Sequence, residues 1–307
     1  MMSVLVTGAC GFIGSYLIPA LLERGYEVVA TDITNEPGWI ADLEAVRYYR
    51  ADLGRDADVY KLMGAVRPEK VIHLASLLAA PCENDPGLGY RVNFGSTLAL
   101  LDGCRTFGAN RFVMTSSISG FGKNLPEPVF EDEIKNPLTI YGQTKLACEH
   151  LMEWYQRVYS LSSGAVRFPW VFGPGRTTGI TAEYSSKLLD AIASGEKLVI
   201  STPEEKGDWL YIKDAVKALL MLIELKEQPR IAYNIMSGLY TVREAMTIAR
   251  SLFPDAEIEI GEGTEVTSPY PTSFDDSKAR EEIGWKPDYS IEEAMKEHVE
   301  IIRKKIN

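Results

Sequence analysis

The chain has 307 residues, of which 46% are apolar, so it can bury a large core in one big domain or in two modest ones. Its formal net charge is −11 and no block of lysine and arginine stands out, which disfavours a nucleic-acid or anionic-membrane surface. The four cysteines and three histidines lack metal-ligand spacing, and the longest apolar runs are too short to span a bilayer. We therefore expect no metal centre, no membrane segment and a cytoplasmic location with reduced thiols.

Short β-branched segments alternate with segments of helical periodicity in the first half of the chain. Strands are predicted at Ser3–Thr7, Glu27–Asp32, Val46–Ala51, Lys70–Leu74 and Arg111–Thr115. Helices are predicted between them, at Phe12–Arg24, Asp56–Val66 and Leu88–Phe107. This alternation is typical of an α/β fold with a parallel, doubly wound sheet of the Rossmann type.

The second half begins with a long helical segment, Tyr141–Tyr159, and a sixth strand, Ala165–Phe168, after which the regularity weakens. Further helices are predicted at Ala182–Ala193, at Asp214–Leu225 with Asp214 as N-cap, and after the capping-box sequences that begin at Thr241 and Ser290. We predict a Rossmann domain of residues 1–170 and 208–237. Residues 171–207 and 238–307 would form a smaller, interleaved, mixed α/β substrate domain.

Three glycines follow the first predicted strand in the sequence VTGACGFIGSYL. Gly8, Gly11 and Gly14 have the spacing G-x-x-G-x-x-G and open the first predicted helix. Glycines at this point let the backbone turn sharply and approach a pyrophosphate, while the helix directs free N–H groups and its positive dipole end at the anion. The position of the motif at the start of a βαβ pattern predicts nucleotide binding.

Two acidic positions extend this prediction to the cofactor type. Asp32 ends the second predicted strand, where a carboxylate can accept hydrogen bonds from both ribose hydroxyls of NAD and repel the 2′-phosphate of NADP. No arginine follows Asp32 closely in the sequence. Asp52 and Leu53, after the third strand, could contact the adenine edge, although a turn aspartate explains Asp52 almost as well.

Hydroxyl and amine groups gather at the opposite end of the predicted cleft. Ser116 and Ser117 follow the fifth strand, at the carboxyl edge of the sheet where ligands bind. Tyr141 begins the next helix and Lys145 lies one turn further on the same face. A neighbouring ammonium lowers a phenol pKa from about 10, and such a phenol can take a proton from an alcohol while hydride leaves its carbon.

With these residues in place, the sequence resembles the extended short-chain dehydrogenase/reductases, the NAD-dependent epimerase/dehydratase superfamily. The resemblance covers nearly the whole chain and is carried by TGACGFIG, Asp32, ADL (51–53), VIHLAS (71–76), Asn93, TSSISGFG, YGQTK, RFPWVFGPG and AREEIGWKP. It implies NAD as cofactor, Tyr141 as acid/base, and Ser117 and Lys145 as its catalytic partners. The NAD site that it implies includes Gly8, Gly11, Phe12, Ile13, Gly14, Asp32, Asp52, Leu53, Leu74, Ala75, Ser76, Asn93, Tyr141, Lys145 and Phe168.

Two kinds of substrate compete within this resemblance. Sugar-nucleotide epimerases usually carry an asparagine in the sixth-strand motif and an arginine in a later R-D-F/Y motif, both for the diphosphate. Here Trp170 and Gly207 stand at those places. Several segments instead resemble L-threonine 3-dehydrogenases, although Tyr270 replaces an expected tryptophan, and residues 89–122 resemble sugar-acid dehydrogenases.

The sequence is therefore compatible with three interpretations of the reaction. The first is an enzyme that oxidises a secondary alcohol of a sugar, a sugar nucleotide or a similar small polar substrate. The second is a threonine or sugar-acid dehydrogenase that releases NADH, and the third is an NAD-binding sensor or scaffold without turnover. Candidate substrate contacts are Ser117, Arg176, Thr177, Thr178 and Trp209.

The long helical segments also predict self-association. The second of these segments carries more large apolar groups than one helix face buries against a sheet, namely Met152, Trp154, Tyr155 and Tyr159. Together with Leu88–Phe107, this segment predicts a homodimer with a four-helix contact, as the resemblance also implies.

Overall fold

A computed structural model describes residues 2–227, 229–266 and 268–306. In this part of the chain a central sheet is formed by seven parallel strands in the order β10-β6-β5-β4-β1-β2-β3. Its strands are β1 Ser3–Thr7, β2 Glu27–Asp32, β3 Val46–Arg50, β4 Lys70–His73, β5 Arg111–Ser117, β6 Ser162–Phe168 and β10 Ala232–Asn234. The expected doubly wound Rossmann sheet is thereby confirmed, with the change of winding direction between β1 and β4.

Helices cover both faces of this sheet, as the chain's apolar periodicities require. The helices are α1 Phe12–Glu23, α2 Asp56–Val66, α3 Ala79–Asn84, α4 Pro86–Gly89, α5 Ser96–Phe107, α6 Ile140–Tyr159, α7 Ile180–Glu183, α8 Ser186–Ser194, α9 Ile212–Glu224, α10 Val242–Leu252, α11 Ser277–Ile283 and α12 Ile291–Ile306. One core includes buried residues of α2, α5 and α6, and the other includes buried residues of α1 and α9 and continues into the C-terminal region. None of the helices in the described residues is long and apolar enough to cross a membrane.

Several sequence predictions need correction. The predicted helix Ala182–Ala193 is divided into α7 and α8 by a turn at Tyr184 and Ser185. The strand β10 was missed because its three residues are too few to show a period. The predicted helix Leu88–Phe107 is divided into α4, a π-helical turn at Tyr90–Gly95, and α5. Asp214 does not cap α9, since Tyr211 occupies the N-cap and Asp214 lies in the first turn, where its carboxylate accepts from the N–H groups of Asp288 and Tyr289.

Two smaller sheets lie in the C-terminal part and beside the carboxyl edge of the central one. The first has the order β11-β9-β7 and the second pairs β12 with β8. Their strands are β7 Trp170–Phe172, β8 Leu198–Ile200, β9 Lys206–Tyr211, β11 Leu239–Thr241 and β12 Ile258–Ile260. The capping boxes at Thr241 and Ser290 are both formed, opening α10 and α12. The domain limits proposed from the sequence stay a prediction.

Candidate active site

A cavity of about 580 Å³ opens at the carboxyl edge of the central sheet. Ser117, at the end of β5, and Tyr141, in the first turn of α6, both line it. Lys145 lies behind them, 4% exposed, and its Nζ donates to the Thr115 carbonyl at 2.8 Å. The same Nζ lies 5.6 Å from the centre of the Tyr141 ring. The fold thus brings together the three residues that the sequence selected as catalytic.

Burial controls the protonation of this pair. It raises the pKa of Tyr141 to about 12, although a hydrogen bond with Ser117 and the charge of Arg176 act in the opposite direction. Burial also lowers the pKa of Lys145 to about 8, against smaller effects of Cys148, Cys82 and Glu149. The direction for Tyr141 is opposite to the sequence expectation, because both groups lose their water and the Lys145 ammonium is directed at the Thr115 carbonyl.

The glycine motif forms a tight turn between β1 and α1. Gly8 has φ +63°, and a Cβ at this position would lie 2.6 Å from the Ala75 nitrogen. A Cβ on Gly14 would lie 2.2 Å from the carbonyl oxygen of Ala9. Because side chains fit at neither position, the turn packs directly against the segment that follows β4, and α1 begins beside the cavity. The backbone amides of this turn are therefore close to any ligand in the cleft.

The carboxyl end of β2 lies beside the same turn. Asp32 accepts from the Cys10 N–H at 3.0 Å and from the Ile33 N–H at 2.7 Å. The carboxylate is thereby fixed next to the glycine turn, while it remains only partly buried. Cys10 itself is a free thiol at this edge.

Arg176 adds a cation to the far side of the cavity. Its guanidinium donates to Thr181 Oγ1 at 2.6 Å, and its charge acts on Tyr141. Within the described residues no carboxylate lies within ion-pair distance of Arg176. Burial lowers the pKa of Arg176 to about 10, so the group still carries its charge at neutral pH. An unpaired cation in a cleft favours an anionic ligand.

A tryptophan fills the adjacent wall. A Cβ on Gly207 would lie 2.4 Å from Cε2 of Trp170, because β7 and β9 run side by side at this point. Any side chain at position 207 would displace the Trp170 ring. The two residues are therefore matched to each other, and together they give this wall an apolar surface.

Comparison with known proteins assigns the chain to a family. The family model described as the NAD dependent epimerase/dehydratase family matches residues 4–235. The chain belongs to this family. The resemblance found in the sequence is thereby confirmed, and with it NAD as the cofactor of an extended short-chain dehydrogenase/reductase enzyme.

Relatives of this NAD dependent epimerase/dehydratase family match over almost the full length. An uncharacterized epimerase/dehydratase of Staphylococcus aureus strain MRSA252 is 28% identical, with 99% of this chain and 98% of the relative covered. The UDP-glucose 4-epimerase of Thermotoga maritima, solved with UDP-glucose, is 27% identical with a TM-score of 0.88 and covers 100% of both chains. The L-threonine 3-dehydrogenase of Trypanosoma brucei is 28% identical with a TM-score of 0.88, covering 99% of this chain and 98% of that one.

The cleft offers a close backbone approach and a helix N-terminus, two features that suit a dinucleotide. Side chains are excluded at two glycines of the turn, and no side chain of the described residues caps the N-terminus of α1. Phe12 and Ile13 line the cavity from the first turn of α1, where backbone N–H groups have no partner within the helix. Leu74, Ser76 and Phe168 line the same cavity from the neighbouring strand ends. These residues fit a dinucleotide.

Other predicted cofactor residues lie outside the cavity wall. Asn93 is 2% exposed, and its side chain accepts from the Leu77 N–H and donates to Thr144 Oγ1 and the Leu77 carbonyl. Ala75 is in contact range of Gly8, from beneath the turn. Asp52 accepts from the Gly54 N–H, as a turn aspartate does, and Leu53 is buried. Asn93 and Ala75 thus support the segments that carry the site.

The predicted substrate residues are distributed unevenly. Arg176 and Thr178 line the main cavity, whereas Thr177 does not and is exposed. Trp209 is 2% exposed, packs against Phe172 and Trp170, and contributes instead to a separate smaller cavity.

Several cavity residues were not selected from the sequence as site residues. They come from five separate segments and are Leu78, Ala79, Thr139, Thr181, Tyr184, Lys206, Ser268, Pro269, Tyr270, Pro271 and Thr272. Tyr270 donates to Thr139 Oγ1 at 3.3 Å, which joins this C-terminal loop to the N-cap of α6. Apart from Tyr270, which stands where the resemblance to threonine dehydrogenases expects a tryptophan, no sequence signal marked these positions, because segments far apart in the chain meet only in the folded cleft.

Proposed function

We propose that this enzyme oxidises the secondary alcohol of a small anionic substrate, such as a hydroxy amino acid or a sugar acid, and releases NADH. The observation that carries the proposal is Arg176, a cation without a carboxylate partner that shares the cavity with Tyr141. A substrate carboxylate would pair with this guanidinium and so place its neighbouring alcohol near the phenol.

The roles of the chain's own groups follow from their positions. NAD supplies the hydride acceptor when it is bound. Ser117 would hold the alcohol oxygen, and Tyr141 would take the proton of the alcohol. Lys145 would stabilise the Tyr141 phenolate, since its Nζ lies 5.6 Å from the centre of the ring. In the reverse direction, the protonated phenol would donate to the carbonyl oxygen.

For the cofactor, we propose that the glycine turn and the first turn of α1 hold the pyrophosphate. Asp32 would accept from the ribose hydroxyls, since its carboxylate is fixed beside that turn by the Cys10 and Ile33 amides. Leu74, Ser76 and Phe168 would line the nicotinamide half of the site.

The wall formed by Trp170 and Gly207 argues against a nucleotide sugar. The indole N–H of Trp170 is the one side-chain hydrogen-bond donor that these two positions could offer a diphosphate. The Trp170 ring leaves no room for a side chain at Gly207. A doubly charged diphosphate at this wall would lose water without gaining partners, which is costly.

A sugar-nucleotide epimerase is the second candidate, and Lys206 favours it. This residue lines the main cavity, and its ammonium forms no ion pair with any described carboxylate. Arg176 and Lys206 together could serve a diphosphate in place of the usual donors. The similar structure that contains UDP-glucose has the same overall fold.

A substrate screen separates the two candidates. The purified protein is incubated with NAD and with hydroxy amino acids, sugar acids, neutral sugars and nucleotide sugars, and both NADH absorbance and epimer formation are followed. We expect NADH to accumulate with at least one hydroxy acid or hydroxy amino acid, and Arg176→Gln to raise the KM of that substrate. Epimer formation from a nucleotide sugar without accumulation of NADH would contradict the proposal and support the epimerase.

We also infer that the protein forms a homodimer in the cytoplasm. The support for the dimer is a patch of exposed apolar side chains on α6 and the segment before and within α5, namely Tyr90, Leu98, Trp154, Val158 and Tyr159. Monomeric proteins rarely expose apolar groups of this size together. The cytoplasmic location rests only on the sequence.

A further inference from the structure

An arginine lies next to Asp32 across the sheet. In the parallel pairing of β2 with β3, Asp32 is the register partner of Arg50. Paired residues of neighbouring strands point to the same face, so both side chains stand on the side of the glycine turn. The Arg50 Nε donates to the carbonyl oxygen of Ile33 at 3.0 Å, which directs the guanidinium to the residue that follows Asp32.

Arg50 is free to meet an anion. The residue is exposed, and among the described residues no carboxylate lies within ion-pair distance of its guanidinium. Its one side-chain hydrogen bond within the described part of the chain uses Nε, so the four N–H donors of its terminal nitrogens remain available. Arg47 on the same strand differs, because it is bound to the Glu27 carboxylate.

We infer that Arg50 is a second determinant of cofactor selectivity, which attracts the 2′-phosphate that Asp32 repels. The two groups act on the same point of the cofactor with opposite sign. Asp32 accepts hydrogen bonds from the ribose hydroxyls of NAD, and Arg50 offers two parallel N–H donors to a phosphate. The wild-type protein therefore binds NAD more tightly than NADP, but Arg50 reduces the difference between the two affinities. Loss of the Asp32 carboxylate reverses the preference, so that NADP binds more tightly.

Four variants test this inference by cofactor binding alone. Asp32→Asn removes the charge and keeps one acceptor oxygen, and Arg50→Gln removes the cation. A double variant combines Asp32→Asn with Arg50→Gln. Its control combines Asp32→Asn with Arg47→Gln and so removes the ion-paired arginine of the same strand. Dissociation constants for NAD and NADP are measured by tryptophan fluorescence at low and high salt, and thermal melts with and without each cofactor verify folding.

We expect Arg50→Gln to weaken NADP binding by about tenfold, the usual value of one charged hydrogen bond, and to leave NAD binding within about twofold. Asp32→Asn should bind NADP more tightly than NAD. Adding Arg50→Gln to Asp32→Asn should abolish this increase in NADP affinity, whereas adding Arg47→Gln should leave the increase in place. The gain should also fall at high salt.

The inference is overturned if Arg50→Gln leaves the NADP dissociation constant of both the wild type and the Asp32→Asn variant unchanged. It is equally overturned if Arg47→Gln has the same effect as Arg50→Gln, since the cause would then be general charge. The inference rests on Asp32 as the ribose ligand and not on the substrate. Because no turnover is measured, failure of the proposed reaction would leave these results intact, and the reverse also holds.

Discussion

At the scale of single residues, the site depends on two groups that burial drives toward their neutral forms. The phenol of Tyr141 and the ammonium of Lys145 are adjacent, and burial raises the pKa of the first and lowers that of the second. A tyrosine with such a pKa is almost wholly protonated near neutral pH, so only a small fraction is present as the phenolate that could act as a base. The charge of Arg176 acts to lower the pKa of Tyr141, and Lys145, 5.6 Å from the ring centre, is placed to stabilise a phenolate as the proposed mechanism requires.

Replacing Tyr141 with phenylalanine should separate catalysis from folding. The change removes one hydroxyl and leaves the ring in place, so the melting temperature and the NAD dissociation constant should stay near the wild-type values. General acid–base catalysis contributes about 10²–10⁴-fold, and we expect turnover to fall by at least about a hundredfold. The measurement is the rate on the substrate found in the screen. Near-normal turnover of Tyr141→Phe would show that another group moves the proton.

The pH profile should show both groups of the pair. Oxidation requires the Tyr141 phenolate, whose fraction rises roughly tenfold per pH unit below its pKa of about 12, so kcat/KM for oxidation should increase with pH. Above a pH of about 8, Lys145 loses its charge and stabilises the phenolate less, so the increase should flatten. Reduction should show the opposite trend. Tyr141→Phe serves as the control, since a rise that persists in this variant cannot come from the phenol.

At the scale of secondary-structure elements, α6 is fixed to the sheet by a buried ion pair. The Arg167 guanidinium on β6 donates to both carboxylate oxygens of Glu149, at 3.0 and 2.8 Å, and Ser116 Oγ donates to the same carboxylate. Arg167 also lies 5.1 Å from the centre of the Phe121 ring. This network connects α6, which carries Tyr141, to β5 and β6. We expect this network to hold Ser117, at the end of β5, and Tyr141, on α6, in their relative positions.

Glu149→Gln should destabilise the fold far more than a surface change on the same helix. It leaves the buried Arg167 without its counter-charge, and breaking a buried pair in this way costs about 3–5 kcal/mol of unfolding free energy. Glu153→Gln, an exposed glutamate on α6, is the control and should change the unfolding free energy by less than about 0.5 kcal/mol. Urea denaturation gives both values. Equal, small losses would mean that the pair does not hold α6.

At the scale of the whole molecule, the apolar patch on α5, α6 and the segment before α5 distinguishes one face from the rest. Trp154 is 41% exposed and Val158 is 48% exposed, and these two residues are one turn apart. The ring of Trp154 also contacts that of Tyr159, at 5.3 Å between centroids. An ordered aromatic surface of this kind suits a second copy of the same helices.

The wild-type protein should therefore have the mass of a dimer in light scattering at micromolar concentration. Trp154→Glu places a charge at the centre of the patch and should shift the mass toward the monomer, because burying an unpaired carboxylate is costly. Lys304→Glu, at an exposed position of α12, introduces a carboxylate away from the patch and should leave the dimer intact. A monomeric wild type would refute the homodimer.

Much of this molecule follows from local sequence signals. The glycine turn, the first six strands, α2 and the capping boxes were predicted within a few residues. The reason is that the period of apolar residues and the chemistry of turns act over short stretches of chain. The placement of Tyr141 and Lys145 on one helix face also needs only helix geometry. These signals were sufficient for the family, the cofactor and the fold.

Only the tertiary structure decided the features that depend on residues far apart in the sequence. Arg50 is 18 positions from Asp32 along the chain and its direct neighbour in the sheet, so the sequence showed no arginine close to Asp32. The contact of Trp170 with Gly207 and the position of Arg176 beside Tyr141 arise in the same way. The pKa of Tyr141 was expected to fall and instead rises, because burial is a property of the whole fold and outweighs a single neighbouring charge.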